Sequence, residues 1–132
     1  MADSVNYKDW YFKASKDLEW AHHIIFIEEE ADVPDFSGAA FHSQQCIEKY
    51  LKGYILKETG ELFEGHNLSF LCKRASRIDV TFRNYVDGCD FVNKFYIQPR
   101  YPADIVIINR YDGEECVKIA KEISEYIVSL DC

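Results

Sequence analysis

The sequence predicts an all-α protein, an antiparallel up-and-down bundle of four main helices with one short additional helix. Apolar residues recur at spacings of three and four in five separate segments, which is the pattern of helices with one buried face. Short connections join these segments, and the one β-branched run has no partner strand. The 132 residues are 48% hydrophobic, enough for one buried core, so a single domain over residues 1–132 is expected.

The first helix is predicted over residues 5–30, and its spacing places Asp17 on the outer, solvent-facing side. The second and central helix is predicted over residues 36–60. Ser37 is its expected N-cap, and Gly60 is expected to be the left-handed residue that ends it.

The central helix carries a polar stripe beside its apolar one. This stripe consists of Gln45, Glu48, Lys49 and Lys52. Two interpretations remain open at this point. The stripe is either the solvated flank of an ordinary amphipathic helix or one side of a polar cluster shared with other segments.

A third helix is predicted to start after Asn67, its expected N-cap, and to run to about Arg77. His66 then lies at the mouth of that helix, either packed and bonded to backbone or contributing to a pocket. The fourth segment, Thr81 to Gln98, is predicted as one helix with a possible kink at Gly88.

Arg100 and Tyr101 lie between two prolines, Pro99 and Pro102, so both side chains are expected in a stiffened loop. Such a loop suits a guanidinium that makes bidentate contact with carboxylate or phosphate. The alternative is that Arg100 ties the loop to the central helix, with Glu48 as its partner.

The last helix is predicted from a D-x-x-E capping box formed by Asp112 and Glu115, and it runs to the C-terminus. The preceding run, Ile105 to Ile108, is interpreted as loop or helix start.

The net charge of −8 is unevenly distributed along the chain. Residues 1–36 carry a net −6, residues 37–111 a net +2 and residues 112–132 a net −4. A general nucleic-acid binding surface would be basic, so this class is disfavoured. A local anion site in the middle of the chain remains possible.

Other features indicate a cytoplasmic protein without a metal or cofactor. No apolar run approaches the roughly 18–20 residues that a membrane span needs, and the first ten residues do not resemble a secretory signal. The five cysteines are scattered without a CxxC pair, which predicts reduced thiols and no zinc site.

Several motifs together resemble the HEPN domain family (higher eukaryotes and prokaryotes nucleotide-binding). These are W-x-x-x-A-x-x-D-L at Trp10 to Leu18, F-x-x-Q-Q-x-x-E-K-x-L-K at Phe41 to Lys52, H-x-L at His66 to Leu68, Leu71, and R-Y-P at Arg100 to Pro102. The resemblance covers nearly the whole chain and extends to the branch with the QQxxEK and RYP motifs. It implies a helical bundle, usually homodimeric, that often pairs with a minimal nucleotidyltransferase as toxin and antitoxin.

Some members of this family are metal-independent ribonucleases with an Arg, four to six residues and then a His. This chain departs from that pattern, because no His follows Arg100 or any other arginine at that spacing. We therefore expect no catalysis by that motif.

The preferred function is a non-catalytic module that binds a nucleotide and/or a nucleotidyltransferase partner. The residues expected at its ligand site are Gln45, Glu48, Lys49, Lys52, His66, Arg100 and Tyr101. The cations among them would meet phosphate, Tyr101 would stack on a base, and the remaining residues would orient the site by hydrogen bonds.

Two alternatives remain. One is an RNA-cleaving toxin with a variant site, in which His66 is the acid/base and Arg100 stabilises the phosphorane charge. The other is a buried structural network that links the central helix to the Arg-Tyr loop and binds no ligand.

Overall fold

The structure, a computed structural model, describes residues 4–95 and 107–131. Within these ranges it contains helices α1 (Tyr7–Glu29), α2 (Ser37–Thr59), α3 (Leu68–Ser76), a 3₁₀-helix (Val80–Tyr85), α4 (Val86–Asn93) and α5 (Arg110–Ser129). Helices α1, α2, α4 and α5 alternate in direction, the 3₁₀-helix leads directly into α4, and α3 is the additional helix. The predicted all-α antiparallel bundle is confirmed.

Helices α1 and α2 form a closely packed antiparallel hairpin. A Cβ atom on Gly53 of α2 would lie 2.8 Å from the ring of Tyr11 and 3.0 Å from the Cβ of Trp10. Because real Cβ contacts are longer, the glycine is what allows this approach. Asp17 of α1 lies in the same interface and is buried. The prediction that it faces solvent was wrong, because its carboxylate is held by side chains of α2.

Helix α5 runs in the same direction as α2 and opposite to α1. Gly113 near its start packs against Phe36, where a Cβ atom would approach the Phe36 Cβ to 2.6 Å. Beyond its end, Asp131 accepts a hydrogen bond from Lys57 of α2. These contacts at both ends place α5 along the full length of α2.

Two predicted helix starts were wrong. Ser37 does not cap α2; the carboxylate of Asp35 accepts from its backbone N–H and its hydroxyl, both at 3.0 Å. Asp112 does not cap α5; the side chain of Asn109 accepts from its backbone N–H at 2.8 Å. The N-cap of α5 is Asn109, so this helix begins at Arg110, before the predicted residue. The N-cap of α2 is Phe36, which has no capping side chain, and Asp35 satisfies the first free N–H group instead.

Two other predicted helix ends are confirmed. Gly60 follows α2 with φ 78°, and its N–H donates to the carbonyl of Leu56 at 2.9 Å. Asn67 caps α3, since its side chain accepts from the N–H of Phe70 at 3.1 Å.

The fourth predicted helix is two elements rather than one. The 3₁₀-helix changes to α4 between Tyr85 and Val86, so the break does not lie at Gly88. That glycine instead permits close packing of α4 on α5, because a Cβ there would lie 2.9 Å from a methyl carbon of Ile119. The predicted continuation beyond Phe95 lies outside the described residues.

The core lies between α2, α3, α4 and α5. Its largest fully buried side chains include Ile47, Leu51, Ile55, Leu68, Leu71, Phe82, Val92, Ile123 and Ile127. Four cysteines are buried free thiols, as predicted. Burial raises the pKa of Cys116 to about 12, so this thiol stays protonated at neutral pH. Among the described residues, no helix combines the length and apolar character needed to cross a membrane.

Candidate functional site

The Glu48 cluster, defined as Glu48, Gln44, Lys52 and His66, joins α2 to the loop before α3. Lys52 Nζ lies 2.9 Å from Glu48 Oε2, and His66 Nδ1 lies 3.0 Å from each carboxylate oxygen. Gln44 Nε2 donates to Glu48 Oε1 at 3.2 Å and to the backbone carbonyl of His66 at 3.1 Å. One carboxylate therefore organises three side chains.

Burial divides this cluster into an inner and an outer part. The side chains of Glu48 and Lys52 are each 7% exposed, whereas that of His66 is 56% exposed. The interpretation of the stripe as a solvated flank was therefore wrong for Glu48 and Lys52. The buried ion pair holds an imidazole at the surface.

Gln45 lies at the edge of the Glu48 cluster, where its amide donates to Gln44 Oε1 at 2.7 Å. The helical spacing of the sequence places Gln44 in the apolar stripe, and its role in the cluster was missed for that reason. The signal in the sequence was an amide side chain at a position of the apolar stripe. A buried amide requires hydrogen-bond partners, so other polar side chains had to lie near Gln44.

The Asp17 cluster, defined as Asp17, His42 and Lys49, connects α1 to α2. His42 Nδ1 lies 2.9 Å from Asp17 Oδ1, and Lys49 Nζ lies 2.6 Å from Asp17 Oδ2. Lys49 was predicted as a site residue, whereas the other two were missed as members of a cluster. The signal was the seven-residue spacing of His42 and Lys49, which places both on one face of a helix two turns apart.

Aromatic rings surround the exposed edge of the Asp17 cluster. The rings of Trp20 and His42 are stacked, with centroids 6.4 Å apart and an interplanar angle of 29°. Phe41 makes an edge contact with His42 at 5.2 Å. Trp20 and Phe41 are both exposed, so this part of the surface presents flat apolar rings beside an imidazole.

A basic face of α3 follows the Glu48 cluster along the chain. Lys73 and Arg77 are exposed and form no ion pair within the described residues. The Arg74 guanidinium lies 5.7 Å from the centroid of the Phe63 ring and 3.7 Å from a carboxylate oxygen of Glu61. This face offers cations and an aromatic ring close in sequence to His66.

The structure brings the predicted site residues into two clusters rather than one. Glu48, Lys52 and His66 belong to the first cluster, with Gln45 at its edge, and Lys49 belongs to the second. Arg100 and Tyr101 lie outside the described residues. In the part of the chain that is described, no three His, Cys, Asp or Glu side chains are grouped as a metal ion would require.

An open cavity of about 640 Å³ lies elsewhere, between the end of α1 and the start of α5. Its lining includes the carboxylates of Glu28, Glu29 and Asp112 and one cation, Arg110, which is paired with Glu29, but none of the predicted site residues that the structure describes. Carboxylates repel phosphate, so this cavity does not suit the anion site expected from the sequence.

Comparisons with known proteins agree on one family. The model of the HEPN domain matches residues 7–130. The crystal structure of TT1696 from Thermus thermophilus superposes with a TM-score of 0.76 at 25% identity, covering 96% of this chain and 98% of the other. The crystal structure of ST0689, an archaeal HEPN homologue, gives a TM-score of 0.70 at 26% identity, with 95% and 97% covered. No curated protein matches the chain.

Proposed function

Since the chain belongs to the HEPN domain family, we propose that it is a binding module without catalysis of its own. Its proposed ligands are a nucleotide and/or a minimal nucleotidyltransferase, in a toxin–antitoxin-type pair. The proposal also includes a homodimer and a cytoplasmic location. The observation that supports the nucleotide ligand is the Glu48 cluster, in which a buried carboxylate, paired with Lys52, fixes the exposed imidazole of His66.

The geometry of His66 suits recognition of an anionic ligand. Its Nδ1 faces both oxygens of Glu48 at 3.0 Å, so the carboxylate orients the ring. An imidazole whose Nδ1 contacts Glu48 donates to a phosphate oxygen through Nε2 when the ring carries both protons, and its fixed orientation lowers the ordering cost of binding. We assign His66 to the ligand site on this basis.

The lysines of the predicted site have a different role in this proposal. Lys52 is paired with Glu48 at 2.9 Å, and Lys49 with Asp17 at 2.6 Å. Contact with phosphate would require them to leave these partners. The cations that meet phosphate are therefore assigned to Lys73 of α3 and Arg77 directly after it, together with Arg100. Tyr101 keeps its proposed role as the stacking residue.

A thermal-shift panel with ATP, GTP and other nucleotides tests this proposal. A ligand at 100 times its dissociation constant stabilises the folded protein by about 2.7 kcal/mol. We expect a shift with at least one nucleotide in the wild type, and its loss in His66→Ala. The matched control is His22→Ala, an exposed histidine on α1, which should keep the wild-type shift.

Two outcomes would reject the nucleotide ligand at this site. One is the absence of a shift with every nucleotide, and the other is an equal shift in wild type and His66→Ala. The first outcome would leave the protein-partner role alone.

Support for a nucleotidyltransferase partner comes from the family and from the acidic terminal segments, which carry a net −6 and −4. Such surfaces suit a basic face on another protein. Co-expression with a minimal nucleotidyltransferase from the same genome should yield a complex whose affinity falls as salt rises. Separate elution of the two proteins at low salt would contradict this pairing.

The RNA-cleaving alternative is favoured by one observation, the pairing of His66 with Glu48. A carboxylate that orients an imidazole is an arrangement used in general acid–base catalysis. Incubation of the protein with single-stranded RNA tests it. Cleavage that disappears in His66→Ala, with the fold intact, would replace the non-catalytic proposal, and uncut RNA would remove the alternative.

A further inference from the structure

Two of the buried cysteines, Cys72 of α3 and Cys89 of α4, lie against each other in the core. Both are 0% exposed, and their thiols share a hydrogen bond. The Cys72 thiol also donates to the backbone carbonyl of Phe82 at 3.2 Å. Neither cysteine belongs to the Glu48 cluster or the Asp17 cluster, so the proposed function leaves this pair without a role.

The packing of α3 on α4 explains why the two thiols meet. The backbone N–H of Leu68, at the start of α3, donates to the side chain of Asn93, at the end of α4, at 3.2 Å. Cys72 is four residues after Leu68, one turn further along the same face of α3. Cys89 is four residues before Asn93, one turn back along the same face of α4. The antiparallel register therefore places the two cysteines opposite each other.

The spacing of packed helices suits a disulfide at such a position. Helix axes pack roughly 8–10 Å apart, and Cα atoms lie about 2.3 Å from their own axis. Two Cα atoms that face each other across the contact are therefore about 3.4–5.4 Å apart at their closest. A disulfide requires a Cα separation of about 4.4–6.8 Å, and the two ranges overlap.

Cys46 and Cys116 are equally buried but are not paired in this way. Both are 0% exposed, and burial is the main cause that raises the pKa of each thiol. Within the described residues, no second thiol is among the groups that shift these two pKa values. Burial alone therefore does not distinguish Cys72 and Cys89, whereas contact between two thiols does.

The two thiols of the pair differ in acidity. The hydrogen bond with Cys89 lowers the pKa of Cys72 below its ordinary value. The same hydrogen bond, together with burial, raises the pKa of Cys89. Since the thiolate is the form that attacks an oxidant, Cys72 is the residue that reacts first and Cys89 is the one that resolves the product.

We propose that Cys72 and Cys89 are a redox-active pair that a peroxide oxidises to an intramolecular disulfide. The Cys72 thiolate attacks one oxygen of hydrogen peroxide and the O–O bond breaks. The hydroxide that leaves takes up the proton that Cys72 released and becomes water. The Cys89 sulfur then attacks the sulfur of the Cys72 sulfenic acid, so that the S–S bond forms, the S–O bond breaks and a second water leaves. Each sulfur loses one electron, and the peroxide accepts both.

Access to the pair follows from local opening, because neither thiol reaches solvent in the folded protein. Helix α3 has nine residues, and short elements of this kind open without unfolding of the whole domain. Oxidation should therefore be slower than at an exposed thiol. It should nevertheless end at the disulfide, since the second thiol is already in contact with the first.

Peptide mapping of the wild-type protein after treatment with hydrogen peroxide tests the pairing. Trypsin separates the two cysteines, with Cys72 on the peptide of residues 58–73 and Cys89 on that of residues 84–94. We expect these peptides to be linked, at a mass two hydrogen atoms below their sum, and to be released by dithiothreitol. Peroxide treatment in denaturing urea is the control, because the unfolded chain should show no preference for this pair.

Single variants test the order of the two steps. In Cys89→Ala, Cys72 should stop at the sulfenic acid, which dimedone traps, whereas in Cys72→Ala the Cys89 thiol should stay reduced. The matched control is Cys116→Ala, which removes an equally buried thiol and should leave the linked peptides as abundant as in wild type. Circular dichroism verifies that each variant is folded.

Three results would overturn the proposal. They are a wild type in which Cys72 and Cys89 both stay reduced in excess peroxide, linkage of Cys46 or Cys116 in comparable yield, or trapping of the sulfenic acid on Cys89 instead of Cys72. The oxidised wild type should also unfold at a higher urea concentration than the reduced one, because the link restricts the unfolded chain. None of these measurements depends on a nucleotide, so the proposed ligand and the thiol pair are tested separately.

Discussion

The Glu48 cluster and the Asp17 cluster contain the same three types of group, a carboxylate, a lysine and a histidine, in different settings. Lys52 is on the same helix as Glu48, one turn away, and both are buried. Asp17 is on α1, while both of its partners are on α2 and are about one quarter exposed. The Glu48 cluster holds His66 of the loop before α3 with side chains of α2 alone, and the Asp17 cluster joins α1 to α2.

This difference shows that burial decides how much stability is lost when each carboxylate is removed. When one partner of a buried ion pair such as Glu48–Lys52 is lost, the other keeps a charge that neither a counter-charge nor water compensates. When one partner in the partly exposed Asp17 cluster is lost, water hydrates the remaining groups and replaces much of the lost interaction. The two clusters should therefore respond unequally to equivalent substitutions.

The largest effect is expected for Glu48→Gln. The buried ammonium of Lys52 loses its counter-charge, and the free energy of unfolding should fall by about 3–5 kcal/mol. Urea denaturation measures this change. Adding Lys52→Met should restore a large part of it, since the buried charge is then removed. A loss below about 1 kcal/mol in the single variant would mean that water reaches Lys52.

A smaller loss is expected for Asp17→Asn in the other cluster. Lys49 and His42 lose the shared carboxylate but reach solvent, so we expect about 1–3 kcal/mol by the same denaturation measurement. Glu19→Gln, which removes a carboxylate of the exposed α1 surface, is the control and should change stability by under about 0.5 kcal/mol. If Asp17→Asn costs more than Glu48→Gln, burial does not rank the two clusters.

A third carboxylate, Asp79, provides a comparison without any cation. Hydrogen bonds from the Tyr126 hydroxyl and the Thr81 backbone N–H lower the pKa of Asp79. Since the pKa is lower in the folded state, the stabilisation is present above the unfolded pKa of about 3.9 and is lost as pH falls through the folded value.

Tyr126→Phe should therefore lower the free energy of unfolding at neutral pH, where Asp79 is ionised. The loss should be less than about 1 kcal/mol, because water largely screens the carboxylate. Thermal denaturation between neutral and strongly acidic pH measures it. The wild type and the variant should converge at low pH. Parallel curves across the whole range would contradict the assignment.

The smallest effect is expected for His66, and His42 provides the comparison. His66 is the more exposed, so His66→Ala should change the free energy of unfolding by under about 0.5 kcal/mol. His42→Ala should cost about 1 kcal/mol, because His42 also packs against Trp20 and Phe41. A larger loss for His66 would show that it holds the loop before α3 in place and would weaken its assignment to a ligand site.

The fold was predictable because helical spacing and end signals such as Gly60 and Asn67 act locally. The position of Asp17 was not, because a charged residue on a helix is assigned to solvent unless its partners on another helix are known. His42 and Lys49 supply those partners only after α1 and α2 pack. The capping residues of α2 and α5 were misassigned for a related reason. Ser37 and Asp112 match the capping preferences, but Asp35 and Asn109 match them too, and these two bind the free N–H groups.

The shared carboxylate of Asp17 has a consequence for the orientation of α1. This helix has aromatic residues on both sides, Tyr7 and Tyr11 towards the bundle and Phe12 and Phe26 away from it, so apolar content alone does not select one rotational setting. Two contacts on α2, two turns apart, do select one, because turning α1 by one residue moves Asp17 through about 100°. We infer that a polar contact sets the rotational phase of α1, and with it which aromatic residues face away from the bundle.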